Sequence, residues 1–275
     1  METISELRIM LQEEKVNPLG WRRPWGYKTF QRGPSIYITR YLIPTRITPN
    51  QVTIAGILIG LAGCWDILSL DWHYKLIGVF LLYASILADK VDGELARYRK
   101  TYSLAGIYWD EIGHLIIPPL FWISLAWGIS NISIYADRRF LIIIGALGAL
   151  ALMANRVIHS LASQIFAKKY LKQAEKFNLP QKMDDIIKRN HTQGIVRIAI
   201  RAIHQLQDFF IIISITAIII ITEVLTRRDV LFHPLLAYFV VIGSPLFMLF
   251  AIENIIRKAK SVELDIANIK SSLPQ

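Results

Sequence analysis

Between Asp89 and His114 the chain reads D-K-V-D-G-E-L-A-R-Y-R-K-T-Y-S-L-A-G-I-Y-W-D-E-I-G-H, a charged stretch set between apolar runs. Ionisable groups in or beside a bilayer are costly to keep there, so such a cluster reads as a functional site by default. On a helix, residues three and four apart share a face. Asp89, Asp92 and Ala96 therefore line one face, with Gly93 and Arg97 beside them, while Gly106, Asp110 and His114 form a second row at a strict spacing of four. Two antiparallel helices joined by the basic link 98–105 bring the rows together. Three carboxylates then converge, and they repel one another unless a cation lies between them. Oxygen ligands suit a hard divalent ion such as Mg²⁺ or Mn²⁺. Gly93 and Gly106 leave room for a bulky group to approach the backbone. The plain alternative is salt bridging, with Asp89 or Asp92 paired to Lys90 or Arg97.

The stretch resembles the signature of the CDP-alcohol phosphotransferases, D-x2-D-G-x2-A-R-x8-G-x3-D-x3-D. Asp89, Asp92, Gly93, Ala96, Arg97, Gly106 and Asp110 match it with both gaps correct, and His114 stands where the signature has its fourth aspartate. The resemblance implies an all-α, polytopic membrane enzyme. Such an enzyme moves a phosphatidyl or other phosphoalcohol group from a CDP-linked donor, such as CDP-diacylglycerol, to an alcohol acceptor and releases CMP, in phospholipid biosynthesis. It implies metal binding by Asp89, Asp92 and Asp110, with two divalent ions, Mg²⁺ or Mn²⁺. It implies a nucleotide and diphosphate cradle of Asp92, Gly93, Ala96, Arg97 and Gly106, and a homodimer. Asp110 and His114 are the expected catalytic pair. Two roles stay open for His114, general base on the acceptor hydroxyl or nitrogen ligand to the second metal, because imidazole does either near neutral pH. The G-E-L-A-R wording is most similar to the branch that attaches polyol phosphates to lipids. Two other classes compete with transfer: a CDP-lipid-binding pseudoenzyme that has lost the fourth carboxylate, and a cation-coupled transporter. The absence of an internal repeat and the one-sided placement of the charges argue against the transporter.

The elements that must position these residues are apolar. Hydrophobic residues make up 53% of the 275 residues, mean hydropathy is +0.39 and the formal net charge is +10. Six runs are long enough to cross a bilayer, which takes about 20 helical residues: 52–70, 76–98, 106–129, 140–167, 208–225 and 230–256. They form one membrane domain, 51–256, between a cytosolic N-terminal segment, 1–50, and a cytosolic tail, 257–275, that reads as an interfacial helix. The N-terminus lacks the charged-then-apolar pattern of a secretory signal. Residues 35–46 alternate apolar and basic positions, the pattern of a helix lying in the membrane interface. The T-P-N-Q-V-T opening at 48–53 suits a helix start, with Asn50, Gln51 and Thr53 level with the acidic site.

Lysine and arginine set the orientation. Segments 1–50, 97–105, 164–207 and 257–275 hold 24 of them, against five in the intervening loops, counting Lys75 among the latter. That bias places both termini and the acidic site on the cytosolic side of a cell inner membrane. It also accounts for the positive charge without a nucleic-acid partner. Cys64 is the only cysteine, which excludes an internal disulfide and a thiolate metal site. Arg156, with His159 and Ser160 nearby, reads either as a structural charge, snorkelling to the interface or paired with one of the aspartates, or as an anion clamp for a phosphorylated acceptor. Arg197 and Arg201, with His204, extend that acceptor wall. The small-residue run 145–151 predicts close helix packing, within the chain or between two protomers.

Overall fold

The computed structural model describes residues 2–16, 26–131, 137–170, 208–226 and 229–271. Among them every regular element is helical. The elements are α1 (Ile4–Val16), a π-helix (Tyr27–Arg32), α2 (Gly33–Leu42), α3 (Pro49–Ile67), α4 (Trp72–Arg99), α5 (Leu104–Ser130), α6 (Arg138–Tyr170), α7 (Phe209–Thr226) and α8 (Asp229–Ser271). Among the described residues, four stretches are long and apolar enough to cross a membrane: Pro49–Ile67, Leu104–Ser130, Arg138–Ile158 and Leu235–Ile256. Helix α4 is longer, with 28 residues spanning about 42 Å. Its second half is charged because it carries the site. The apolar part of α7, Phe209–Thr222, is shorter than those four. The six expected runs thus all fall on helices, and four of them have the length and composition of a span.

Helix α3 is the centre of the site's scaffold. Its N-terminus is held by a capping box, in which Thr48 Oγ1 accepts from Gln51 N–H at 3.3 Å and Gln51 Oε1 accepts from Thr48 N–H at 2.8 Å. It packs against both α4 and α5. Gly60 makes this double contact: a Cβ there would lie 2.7 Å from Ile117 Cδ1 of α5 and 2.8 Å from Ser85 Oγ of α4. The buried core continues outward from this seam through Leu82, Phe121, Trp122, Leu125, Ile212 and Val240. Trp122 Nε1 donates to Ser244 Oγ of α8 at 2.9 Å, which satisfies the one polar atom of a fully buried indole. Outward-facing Leu58, Trp65, Phe80, Ile143, Ile242 and Leu249 are exposed, the arrangement expected when lipid replaces water around the bundle.

Three sequence expectations are refined. Lys75, counted with the outer loops, lies fully buried in the first turn of α4, where its ammonium reaches the carbonyls of Ile67 and Ser69 at the end of α3. The run 145–151 packs inside the chain: Gly145 faces Ala126, and Gly148 faces Trp122 and Ser244. The tail is continuous with the last apolar helix, because α8 runs unbroken to Ser271 and no Gly or Pro follows Pro245 within it.

The N-terminal helices dock on the C-terminal half of α4. Leu7, Leu11 and Ile36 form a small buried cluster beside Tyr98. Below it lies Glu94, fully buried and fully satisfied. Glu94 Oε1 accepts from Gln12 Nε2 at 2.8 Å, Arg32 Nη1 at 2.8 Å and Ser35 Oγ at 2.7 Å, and Oε2 accepts from Thr39 Oγ1 at 2.7 Å. Burial works against the Arg32 charge, but the Tyr27 hydroxyl oxygen and Glu94 outweigh it and hold the guanidinium above its ordinary pKa. Helix α2 turns Ser35, Ile36 and Thr39 inward and leaves Tyr37, Ile38 and Tyr41 exposed. Its polar groups thus serve Glu94 while its free face is apolar. Glu94→Ala is expected to destabilise the protein by about 3–5 kcal/mol, the cost of leaving the buried Arg32 without its partner. Unfolding in detergent measures this, and a change below about 1 kcal/mol would show that the network relaxes to water.

Candidate active site

Helices α4 and α5 meet at one end as the motif spacing requires, joined by residues 100–103. Ser103 caps α5, accepting from Gly106 N–H at 3.0 Å and donating to Asn50 Oδ1 at 3.1 Å. A Cβ on Gly106 would stand 2.8 Å from Asn50 Oδ1. A side chain at this motif position would have to displace the Asn50 carboxamide from its place at the α5 cap. Gly93 is different: a Cβ there would meet only the Arg97 guanidinium, at 3.4 Å.

Asp89, Asp110 and His114 converge. One ligand atom from each falls within 4.8 Å of the other two. His114 Nε2 lies 3.5 Å from Asp89 Oδ1 and 3.5 Å from Asp110 Oδ1. Asp92 stands outside this group although it lines the same cavity; its Oδ2 accepts from Thr53 Oγ1 of α3 at 2.5 Å. The T-P-N-Q-V-T opening thus contributes two side chains to the site, Asn50 and Thr53. Two carboxylates and an imidazole in reach of one point fit a divalent cation. The salt-bridge alternative is met at one pair, Lys90 Nζ to Asp89 Oδ2. Arg97 pairs with neither aspartate: its Nε donates to Leu11 O at 2.9 Å, and its buried Nη2 has no hydrogen-bond partner among the described residues.

Thr53, Asp89, Asp92, Asp110 and His114 open onto a cavity of about 330 Å³ lined by α3, α4, α5, α6, the start of α7 and the π-helix. Arg156 reaches it from α6. Its guanidinium forks onto Glu111, Nη2 to Oε1 at 2.9 Å and Nε to Oε2 at 3.2 Å. The sequence reading allowed a paired Arg156 but named the aspartates as its partner; the structure gives Glu111, one turn before His114 and next to Asp110. His159 and Ser160 have no described side chains, and Arg197, Arg201 and His204 lie outside the described residues.

Sequence reasoning passed over five contributors to this region. Glu94 anchors the N-terminal segment, Glu111 holds Arg156, Asp208 lines the cavity and accepts from Phe210 N–H at 3.0 Å to start α7, and Gln31 and Asn155 add carboxamides. Glu94 and Glu111 sat in plain view inside the motif. The others are brought in only by tertiary packing from distant segments.

The profile of the CDP-alcohol phosphatidyltransferase family matches residues 46–231, about two thirds of the chain, and its span contains every motif residue above. The chain belongs to this family. No curated protein is similar enough to the chain to count as a match. Membership makes the protein a CDP-alcohol phosphotransferase of phospholipid biosynthesis with apolar helices fit for a multi-pass membrane protein. The family's use of divalent metal agrees with the Asp89, Asp110 and His114 donor set. The match begins after α2, so the docked N-terminal segment precedes the matched residues.

Proposed function

We propose that this protein transfers a phosphatidyl or related phosphoalcohol group from a CDP-linked lipid, such as CDP-diacylglycerol, to an alcohol hydroxyl and releases CMP. The observation that carries the reading is the convergence of Asp89, Asp110 and His114 on one cavity. Asp89 and Asp110, with Asp92 beside them, would hold the divalent ions, Mg²⁺ or Mn²⁺. When bound, these neutralise the diphosphate and the charge that develops on the departing CMP. Arg97, packed against Gly93 with its Nη2 unpartnered among the described residues, would offer a diphosphate oxygen a donor, and Gly93, Ala96 and Gly106 would shape the nucleotide side of the cradle. The alcohol oxygen bonds to phosphorus, the phosphorus–oxygen bond to CMP breaks, and CMP leaves with the electron pair. The hydroxyl proton passes to His114. Its Nε2 faces the two carboxylates, which favours the proton on that nitrogen and leaves Nδ1 as the basic atom.

A second reading of His114 rests on the same distances: its Nε2 lies where a third ligand would, and as a ligand it would take no proton. The orientation bias of lysine and arginine supports an inner-membrane protein with the site and both termini cytosolic. The apolar outer face of α2 supports a helix resting on the membrane surface. A homodimer remains part of the proposal on the family's account, without the run 145–151 as its seam.

Arg156, with Arg197 and Arg201, is proposed to bind the phosphate of a phosphorylated acceptor. Arg156 and Glu111 are both about half exposed, and an exposed pair contributes only about 0–1 kcal/mol to stability. Arg156→Ala is therefore expected to leave the melting temperature nearly unchanged and raise acceptor KM by about 10- to 100-fold, as loss of a charged hydrogen bond does. Glu111→Ala frees the guanidinium and is expected to lower acceptor KM. Steady-state kinetics with glycerol 3-phosphate and inositol 1-phosphate test both; an unchanged acceptor KM in Arg156→Ala would leave the arginine a structural role.

A further inference from the structure

Two carboxamide side chains among those lining the cavity keep hydrogen-bonding capacity that the described residues do not use. Gln31, on the π-helix, is 3% exposed, and its side chain makes no hydrogen bond among the described residues. Asn155, on α6, is 6% exposed. Asn254 of α8 holds one end of it, Nδ2 to Asn155 Oδ1 at 2.9 Å, and Asn155 Nδ2 is buried without a partner among the described residues. With the amide turned the other way, Asn254 would still engage one end and leave the other free. Buried polar groups are otherwise almost always satisfied, and leaving one unmade is costly, so an orphan on a cavity wall calls for a ligand.

Several charged or polar groups nearby already have protein partners. Lys90 bonds Asp89, Arg156 forks onto Glu111, Thr53 bonds Asp92, and Asp208 caps α7. The uncommitted polar atoms contributed by Gln31 and Asn155 are neutral, and they suit neutral hydroxyl oxygens better than an ammonium or a carboxylate. Both residues are also fixed from behind. The π-helix is clasped to α4 through Arg32 and Glu94 and to α7 by the stacking of Phe30 on Phe210, with ring centroids 6.3 Å apart. Asn155 is fixed by Asn254.

We infer that Gln31 and Asn155 form a hydroxyl-reading subsite that selects a polyhydroxylated acceptor over an amino-alcohol. The inference rests on the transferase reading above and adds to it the residues that choose the acceptor. Gln31 lies in the segment that precedes the family match at residues 46–231. The CDP donor also carries hydroxyls, on its ribose, and the test separates the two sources.

The test uses the full-length protein in detergent, preloaded with CDP and Mn²⁺. Binding of inositol, glycerol, inositol 1-phosphate, serine and ethanolamine is measured by calorimetry, beside CMP release from CDP-diacylglycerol. The polyols are expected to bind and the amino-alcohols not. Gln31→Met and Asn155→Leu keep side-chain volume and remove the amide. Each is expected to weaken polyol binding and raise acceptor KM by about three- to tenfold, the range for one neutral hydrogen bond, with CDP affinity unchanged. Should Asn155→Leu fail to fold, Asn155→Asp keeps the shape and the bond from Asn254, and the same weakening is expected. Polyol affinity unchanged in the variants, amino-alcohols preferred, or no alcohol bound at all would overturn the subsite. A loss of CDP affinity in place of polyol affinity would also overturn it, since the hydroxyls read would be the donor's. Polyol binding that the variants weaken, with no CMP released by any alcohol, would leave the subsite standing and refute the transfer reaction instead.

Discussion

Alanine at His114 is expected to lower CMP release by about two to four orders of magnitude, the usual loss when a general base is removed, while affinity for the CDP-linked donor is largely kept. The expectation follows from an imidazole placed 3.5 Å from each of two carboxylate oxygens on the wall of the cavity. His114→Asp puts a carboxylate where the motif has its fourth aspartate, and it is expected to remain active. Turnover of the three proteins is compared across a titration of Mn²⁺. As a base, His114 cannot be replaced by more cation, so His114→Ala stays slow at saturation. Recovery at high Mn²⁺ would make His114 a ligand, and wild-type rates in His114→Ala at every concentration would remove it from the chemistry.

Asp89→Asn and Asp110→Asn are expected to abolish divalent-dependent binding of CDP, a loss beyond the roughly 10- to 100-fold typical of groups that merely support a ligand. Both donate to the convergent set, and an amide keeps the shape but not the charge. Asp92→Asn is expected to be milder, because Asp92 lies outside that set with one oxygen already bonded to Thr53. Calorimetric titration of CDP with Mn²⁺ and with chelator measures all three. Equal CDP affinity in wild type with and without chelator would contradict the assignment of the site.

The bundle was legible because its signals are local. Apolar runs at helical length, the 48–53 opening and the three- and four-residue spacing of the motif each act within a few turns of one helix. The convergence of Asp89 with Asp110 and His114 was legible for the same reason: two rows on two helices joined by a short link leave few ways to meet. Asp92 lines the same cavity beside that group and accepts a hydrogen bond from Thr53 on α3, a partner that no motif spacing names. Arg97 turned toward Leu11 because a helix about eighty residues earlier in the chain covers it. Glu94 looked like a variable motif position, yet it is the most heavily bonded carboxylate described, and its four partners all come from residues 12–39. The tail was cut at the end of the apolar run, whereas helix propensity carries α8 through its polar part without a breaker.

The central claim is group transfer with release of CMP. It is tested most directly by incubating the purified full-length protein with CDP-diacylglycerol, Mg²⁺ or Mn²⁺ and a panel of alcohols, and measuring CMP. The account predicts CMP release that requires both a divalent ion and an acceptor hydroxyl, in step with one new lipid product. No CMP with any alcohol, from a protein that still binds CDP-diacylglycerol, would contradict it and leave a lipid-binding protein in its place.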